Sequence, residues 1–159
     1  MSDETTRIMH VFFESYRKSF EQSDAAAIAD HFAYPSHITS DAGDIVLTPI
    51  PERREWIAQL EQLLGAYRTI GVASARILDL QATELSPRLV QANVHWTLHD
   101  GAGRDLYDFD ALYTLARIDG NLRIAAISHN ETSRLRACLA KAKSQNGNRG
   151  TPSKPRKRS

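Results

Sequence analysis

The sequence predicts an α+β fold in which a strongly curved antiparallel sheet, a four-strand meander plus a short N-terminal hairpin, packs against N-terminal helices. Three observations carry this expectation. Near the N-terminus, Ile8, Phe12, Tyr16 and Phe20 recur every four residues, the spacing of one buried helix face. From Val72 to His129 the pattern changes to strand-like segments broken at Ser86-Pro87, at Asp100-Gly101-Ala102-Gly103 and at Asp119-Gly120, each with turn chemistry. The order is helices, hairpin, helix, then meander, which is the layout of an antiparallel sheet with its helices on one side.

The elements follow in chain order. The first helix is expected over Thr5 to Gln22, with Val11 and Phe13 beside its apolar stripe. In "QSDAAAIADHF", Ser23 or Asp24 can cap a second, short helix. "AYPSHITSDAGDIVLTP" holds β-type residues interrupted at Asp41-Ala42-Gly43, which reads as a hairpin. Pro51 opens a third helix, because the N–H it lacks would have no partner in a first turn. Trp56, Leu60, Leu63 and Tyr67, flanked by Ile57 and Leu64, form that helix's buried stripe, and Gly71 ends it. Beyond Asn130, the residues Leu135, Cys138 and Leu139 predict a short closing helix.

With 159 residues the chain is long enough for one domain with a real core. Its 42% hydrophobic and 25% charged residues are ordinary for a globular protein. The domain is expected over residues 1–143 and a disordered basic tail over 144–159. The net charge of +1 hides an asymmetry: residues 1–131 carry 11 Lys or Arg against 19 Asp or Glu, while residues 132–159 carry nine basic residues and no acid. Such a tail can meet an acidic partner or, weakly, nucleic-acid phosphates, and it can equally fold back on its own acidic domain. A nucleic-acid module would place basic and aromatic residues on the folded part, which is acidic here. No apolar run of 18 residues and no basic-then-apolar leader is present, so a cytoplasmic protein without membrane association is expected. The single Cys138 excludes an internal disulfide and reads as packing. His95 and His99 lie roughly 13 Å apart along a strand, too far to share a metal. No phosphate loop or nucleophile elbow occurs, and the expected cofactor is none.

Counting outward from the turns gives a register. If Ile118 faces Asn121, Asp110 faces His129; if His99 faces Arg104, Asn93 faces Asp110 and His95 faces Asp108. Asn93, Asp110 and His129 then form a polar row across three strands. One face bears Trp96, Tyr107, Phe109 and Tyr113 and is almost wholly apolar. An aspartate opposite a histidine, Cβ atoms about 4.5–5.5 Å apart, can share a hydrogen bond and exchange a proton near neutral pH. The same pair on a solvated face would contribute little. Alternation assigns the aromatic face to the helices and leaves the row outside.

The stretches "FFESYRKSFEQSDAAAIADHFA" and "YTLARIDGNLRIAAISH" resemble the front and the last hairpin of the nuclear transport factor 2-like superfamily. That group includes SnoaL-like cyclases and ketosteroid isomerases, and the likeness covers about residues 5–131. It implies a cone-shaped fold enclosing a pocket, proton abstraction next to a carbonyl, and sheet-to-sheet homodimers. Aligned on Gly120, Leu112 stands where the isomerases keep an inward acid, which would turn the polar row into the cone. Counting back from Asp24, Tyr16 falls at the oxyanion tyrosine, and the general base falls near Ser40, with Asp41 one residue late.

Two functional readings stay open. In the first, a cofactor-free lyase, isomerase or cyclase uses His129 as acid or base, Asp110 to orient it, Asn93 and Tyr16 as hydrogen-bond donors, and Trp56 and Tyr67 as pocket wall. In the second, the domain binds a ligand or dimerises without catalysis, and the basic tail serves an acidic partner.

Overall fold

A computed structural model describes the backbone of residues 3–150 and the side chains of residues 3–145. The chain runs α1 (Asp3–Glu21), α2 (Ala25–Ala29), β1 (Phe32–Asp41), β2 (Ile45–Ile50), α3 (Arg53–Ile70), β3 (Val72–Ser86), β4 (Leu89–Asp100), β5 (Asp105–Ile118), β6 (Asn121–His129) and α4 (Glu131–Gly150). The cap signals act as their chemistry demands. Asp24 Oδ1 accepts the Ala27 N–H at 3.0 Å and starts α2. Gly71 ends α3 at φ +84°, the left-handed conformation that favours glycine. Replacing Gly71 with Ala should cost about 1–2 kcal/mol, read as a lower urea midpoint; an unchanged midpoint would mean that the cap contributes nothing.

The predicted meander is present, but it is part of a larger sheet. The six strands lie in the order β2-β1-β6-β5-β4-β3. β1 runs parallel to β6, with Ile38 beside Ile127 and Ser40 beside His129, so the sheet is mixed rather than antiparallel throughout. The hairpin is thereby an extension of the meander, joined through β1.

Two irregularities displace the predicted register. In β6 the pairs run from Ile118↔Asn121 to Leu115↔Ile124, then skip to Thr114↔Ala126 and Ala111↔His129. Ala125 is the extra residue of a β-bulge, and it flips every later side chain of β6 to the other face. Between β4 and β5 the observed partners are Leu98↔Tyr107, Trp96↔Phe109, His95↔Asp110 and Asn93↔Leu112. This is a slip of two from the expected pairs, which preserves faces and changes partners. The row Asn93, Asp110, His129 therefore does not exist: Asp110 faces His95, Asn93 faces Leu112, and His129 lies on the opposite side of the sheet.

The aromatic face is the inner one. Val94, Trp96, Leu98, Phe109, Ala111 and Tyr113 are buried against Phe13 and Tyr16 of α1 and Leu60 and Leu64 of α3 in one apolar core. Leu112, the position that the isomerase alignment turns inward, is 40% exposed on the outer face. The uncovered aromatic face that argued for sheet-to-sheet pairing is thus covered by helices. α4 has 20 residues and is longer than the short closing helix expected. Its backbone includes residues 144–150, and the rest of the basic tail lies outside the described residues. Among the described residues no helix is long and apolar enough to cross a membrane.

Candidate functional site

Between α1, α3 and the inner sheet face lies a cavity of about 130 Å³. The i, i+4, i+8 repeat of Trp56, Leu60 and Leu64 gives it one wall from α3, and Tyr16 and Phe20 give another from α1. Trp96, Phe109 and Tyr113 form the sheet floor. Trp96 Nε1–H donates to Tyr113 Oη at 2.9 Å, which fixes both rings. The rim bears exposed Glu21, Ser23 and Arg68.

One polar cluster enters this apolar chamber, at the junction of β6 and α4. Glu131, the first residue of α4, is 8% exposed and lines the cavity. Its Oε2 accepts the hydroxyl of Tyr67 from α3 at 2.5 Å and that of Tyr107 from β5 at 2.7 Å. The Glu131 backbone N–H donates to Nδ1 of His129 at 3.1 Å. That bond makes Nδ1 an acceptor, so a neutral His129 carries its proton on Nε2. His129 reaches the cavity because the Ala125 bulge turned it inward.

Burial drives the electrostatics here. Loss of solvation raises the Glu131 carboxyl above its ordinary 4.5, against the two tyrosine hydroxyls, which favour its charged form. Burial lowers His129 below 6.5. Tyr16 and Tyr67 are pushed far above 10 by burial first and by neighbouring Glu131 or tyrosine groups next. Burial therefore favours the neutral form of each of these groups: the tyrosine hydroxyls, the His129 imidazole and the Glu131 carboxyl. It thus moves the last two towards each other, the carboxyl up from 4.5 and the imidazole down from 6.5, and perturbed groups of this kind in a cleft are candidates for acid–base work.

The outer face carries a different cluster. His95 is held from both sides, Nδ1 to Asp110 Oδ1 at 2.6 Å and Nε2 to Asp108 Oδ2 at 2.7 Å. Its hydrogen bond to Asp110, followed by that to Asp108, raises the imidazole above 6.5. The charged ring thus adds stability that is fully present below pH 6.5 and is lost as pH rises through its higher folded value; the aspartates are more than half exposed, which keeps the effect small. An NMR titration should place the His95 midpoint above 6.5 and the His129 midpoint below it. Asp110→Asn should move only His95 towards 6.5; a His129 midpoint that followed Asp110 would contradict the observed register. Among the described residues no three His, Cys, Asp or Glu side chains gather to hold a metal ion.

Comparison with known proteins agrees with this architecture. Residues 3–132 match the family described as NTF2-like protein (DUF6841). The chain belongs to the NTF2-like family. Solved structures share the fold at low identity. Aln2 from a Streptomyces species is 17% identical with a TM-score of 0.67, over 86% of this chain and 98% of that one. An NTF2-like protein of unknown function from Shewanella oneidensis is 11% identical with a TM-score of 0.64, over 79% and 98%. An NTF2-like protein with a cystatin-like fold from Novosphingobium aromaticivorans is 14% identical with a TM-score of 0.64, over 86% and 89%. No curated protein matches the chain. At these identities the likeness shows the fold alone.

Of the six residues that the sequence singles out, Tyr16, Trp56, Tyr67 and His129 line the cavity together. Asp110 and Asn93 do not: both are exposed on the outer face. At Ser40, near which the resemblance to the isomerases places a base, the residue is a buried serine paired with His129 between β1 and β6. The cavity's carboxylate comes from Glu131 instead. Sequence reading missed it because an acid in a helix's first turn already has a sufficient explanation in the helix dipole.

Proposed function

We propose that the cavity binds a small carbonyl compound and that Glu131 and His129 move a proton on it, as in a cofactor-free isomerase or lyase. The observation that carries this reading is the buried Glu131 carboxyl, clamped on one oxygen by two tyrosines and adjoining His129 inside an apolar chamber. With Oε2 occupied, Oε1 is the oxygen left to take a proton. With Nδ1 occupied, the Nε2–H of His129 is the donor left for a carbonyl oxygen. A C–H bond next to the carbonyl would break, its proton passing to Oε1, while the enolate oxygen forming is held by Nε2–H; return of the proton to another carbon completes an isomerisation. The apolar walls exclude water and strengthen both interactions.

The test is deuterium exchange at the α-carbon of small cyclic ketones in D₂O, followed by NMR with and without the protein. Exchange above the buffer rate supports acid–base chemistry. Ketones that bind without exchanging would sink it and leave a binding domain.

A further inference from the structure

We propose that α4 binds duplex DNA: lying in the major groove, it sets two rows of basic side chains against the phosphates of the two strands. This surface is separate from the cavity and its chemistry.

Residues 132–159 carry nine basic residues and no acid, and the structure gives four of them a fixed place. Arg134, Arg136, Lys141 and Lys143 stand on α4, and all four are exposed. The start of the helix is held by Glu131, whose carboxyl group binds Tyr67 and Tyr107. Leu135, Cys138, Leu139 and Ala142 are half-buried and share the face turned to the domain, since steps of three and four residues return to one side of a helix. Arg134 and Lys141 lie on one flank of that face, Arg136 and Lys143 on the other; at about 100° per residue the two rows are about 160° apart. Within each row the charges are about 10 Å apart along the axis. Arg134 donates one N–H to the Asn130 carbonyl at 2.9 Å, and none of the four pairs with a carboxylate among the described residues. Between the rows, on the solvent side, stand Ser133, Ala137, Ala140 and Ser144.

This arrangement selects among anionic partners. The major groove of B-DNA, about 12 Å wide, admits one α-helix. A helix lying there has a phosphate strand along each flank, where the two rows are, and the short side chains between them let it approach. An amphipathic helix on a membrane needs an apolar face as well as charge, and no large apolar residue of α4 is exposed among the described residues. Single strands bind by stacking on aromatic rings, of which residues 131–150 contain none. Duplex RNA closes its major groove to side chains. A protein partner is held by large anchors at the centre of the interface, whereas the centre here is Ser and Ala. The rest of the chain, with 19 acids against 11 basic residues over 1–131, is repelled by phosphate, so α4 is the side that approaches. With contacts to phosphate alone, the binding carries no sequence preference.

The test is fluorescence anisotropy of a labelled DNA duplex with the full chain at rising salt. Neutralising four phosphates should give a slope of log K on log salt of about −3.6 or steeper, at about 0.9 per phosphate. The variant combining Arg134→Gln, Arg136→Gln, Lys141→Gln and Lys143→Gln should flatten that slope by about 3.6 and weaken binding at low salt about tenfold or more, with the melting temperature of the parent. The one-row variants, Arg134→Gln with Lys141→Gln and Arg136→Gln with Lys143→Gln, should each flatten it by about 1.8, and they decide the matter if the fourfold change unfolds the chain. Arg134→Lys with Arg136→Lys, which keeps the charge, should bind like the parent. Duplex RNA, single-stranded DNA, phosphatidylserine vesicles and polyglutamate should all bind more weakly than duplex DNA. No binding of the duplex at low salt, an unchanged slope in the fourfold variant, a slope that only one row affects, or tighter binding of any of the other four probes would overturn the proposal.

Discussion

Glu131→Gln is expected to slow α-proton exchange by about two to four orders of magnitude, the usual share of a positioned general base, while leaving the fold intact. The amide keeps the shape and still presents an oxygen to Tyr67 and Tyr107; only the basicity is removed. The effect on stability follows from the direction of the shift. The folded carboxyl titrates above its unfolded value of 4.5, so ionisation is disfavoured in the fold. Its contribution is fully present below pH 4.5 and is lost as pH rises through the folded value. Glutamine carries no such loss, so the variant should match the parent near pH 4 and equal or exceed its melting temperature at pH 8. Glu131→Ala should behave differently, because it strands two tyrosine hydroxyls at a cost of about 1–3 kcal/mol each. Full exchange activity in Glu131→Gln would show the carboxylate to be an anchor for α4 and nothing more.

The pH profile of the parent protein is a companion to that result. Exchange requires Glu131 ionised and His129 neutral. Both conditions are met with rising pH, the first through a midpoint above 4.5 and the second through a midpoint below 6.5. The rate should therefore climb with pH until both groups have lost their protons and then stay level, with the tyrosines remaining protonated well past pH 10.

Local chemistry in the sequence was enough to place the elements. Asp24, Gly71 and the Asp119-Gly120 turn each act over a few residues, and their effects do not depend on distant partners. The parallel β1–β6 pair was beyond such signals, since it joins segments separated by most of the chain. The polar row failed for a more specific reason. Register counting from a turn holds only while the strand is regular, and Ala125 breaks it. A trace of the bulge was present: the apolar positions Leu122, Ile124 and Ile127 step by two and then by three, and that skip is how a bulge returns side chains to the same face. Followed along β6, the same skip turns His129 inward and parts it from Asp110. Glu131 was harder to find, because its burial depends on Tyr67 and Tyr107 converging from α3 and β5, and no spacing within one segment encodes that meeting.

Phe13→Ala should be the most damaging single change in the core, at about 3–5 kcal/mol. The ring is 0% exposed. It stands edge-on to Trp96 with centroids 6.3 Å apart and lies 4.7 Å from Tyr113, two of the three residues that form the cavity floor. Truncation removes the transfer energy of the side chain and opens a void that α1, pinned by Met9 and Tyr16 on either side, cannot close by collapse. Against a total stability of about 5–15 kcal/mol for a domain of this kind, that loss brings the variant close to unfolding at 37 °C, visible as a large fall in the urea midpoint with little change in slope. Tyr16 lies 6.0 Å from the same ring, so the void borders the proposed ligand chamber. Benzene should then raise the melting temperature of Phe13→Ala more than that of the parent, because a ligand that fills the void binds only the folded state. A variant as stable as the parent, or one that benzene does not help, would show that the aromatic floor repacks freely, and the fixed positions of Tyr16, Trp96 and Tyr113 around the cavity would lose their physical basis.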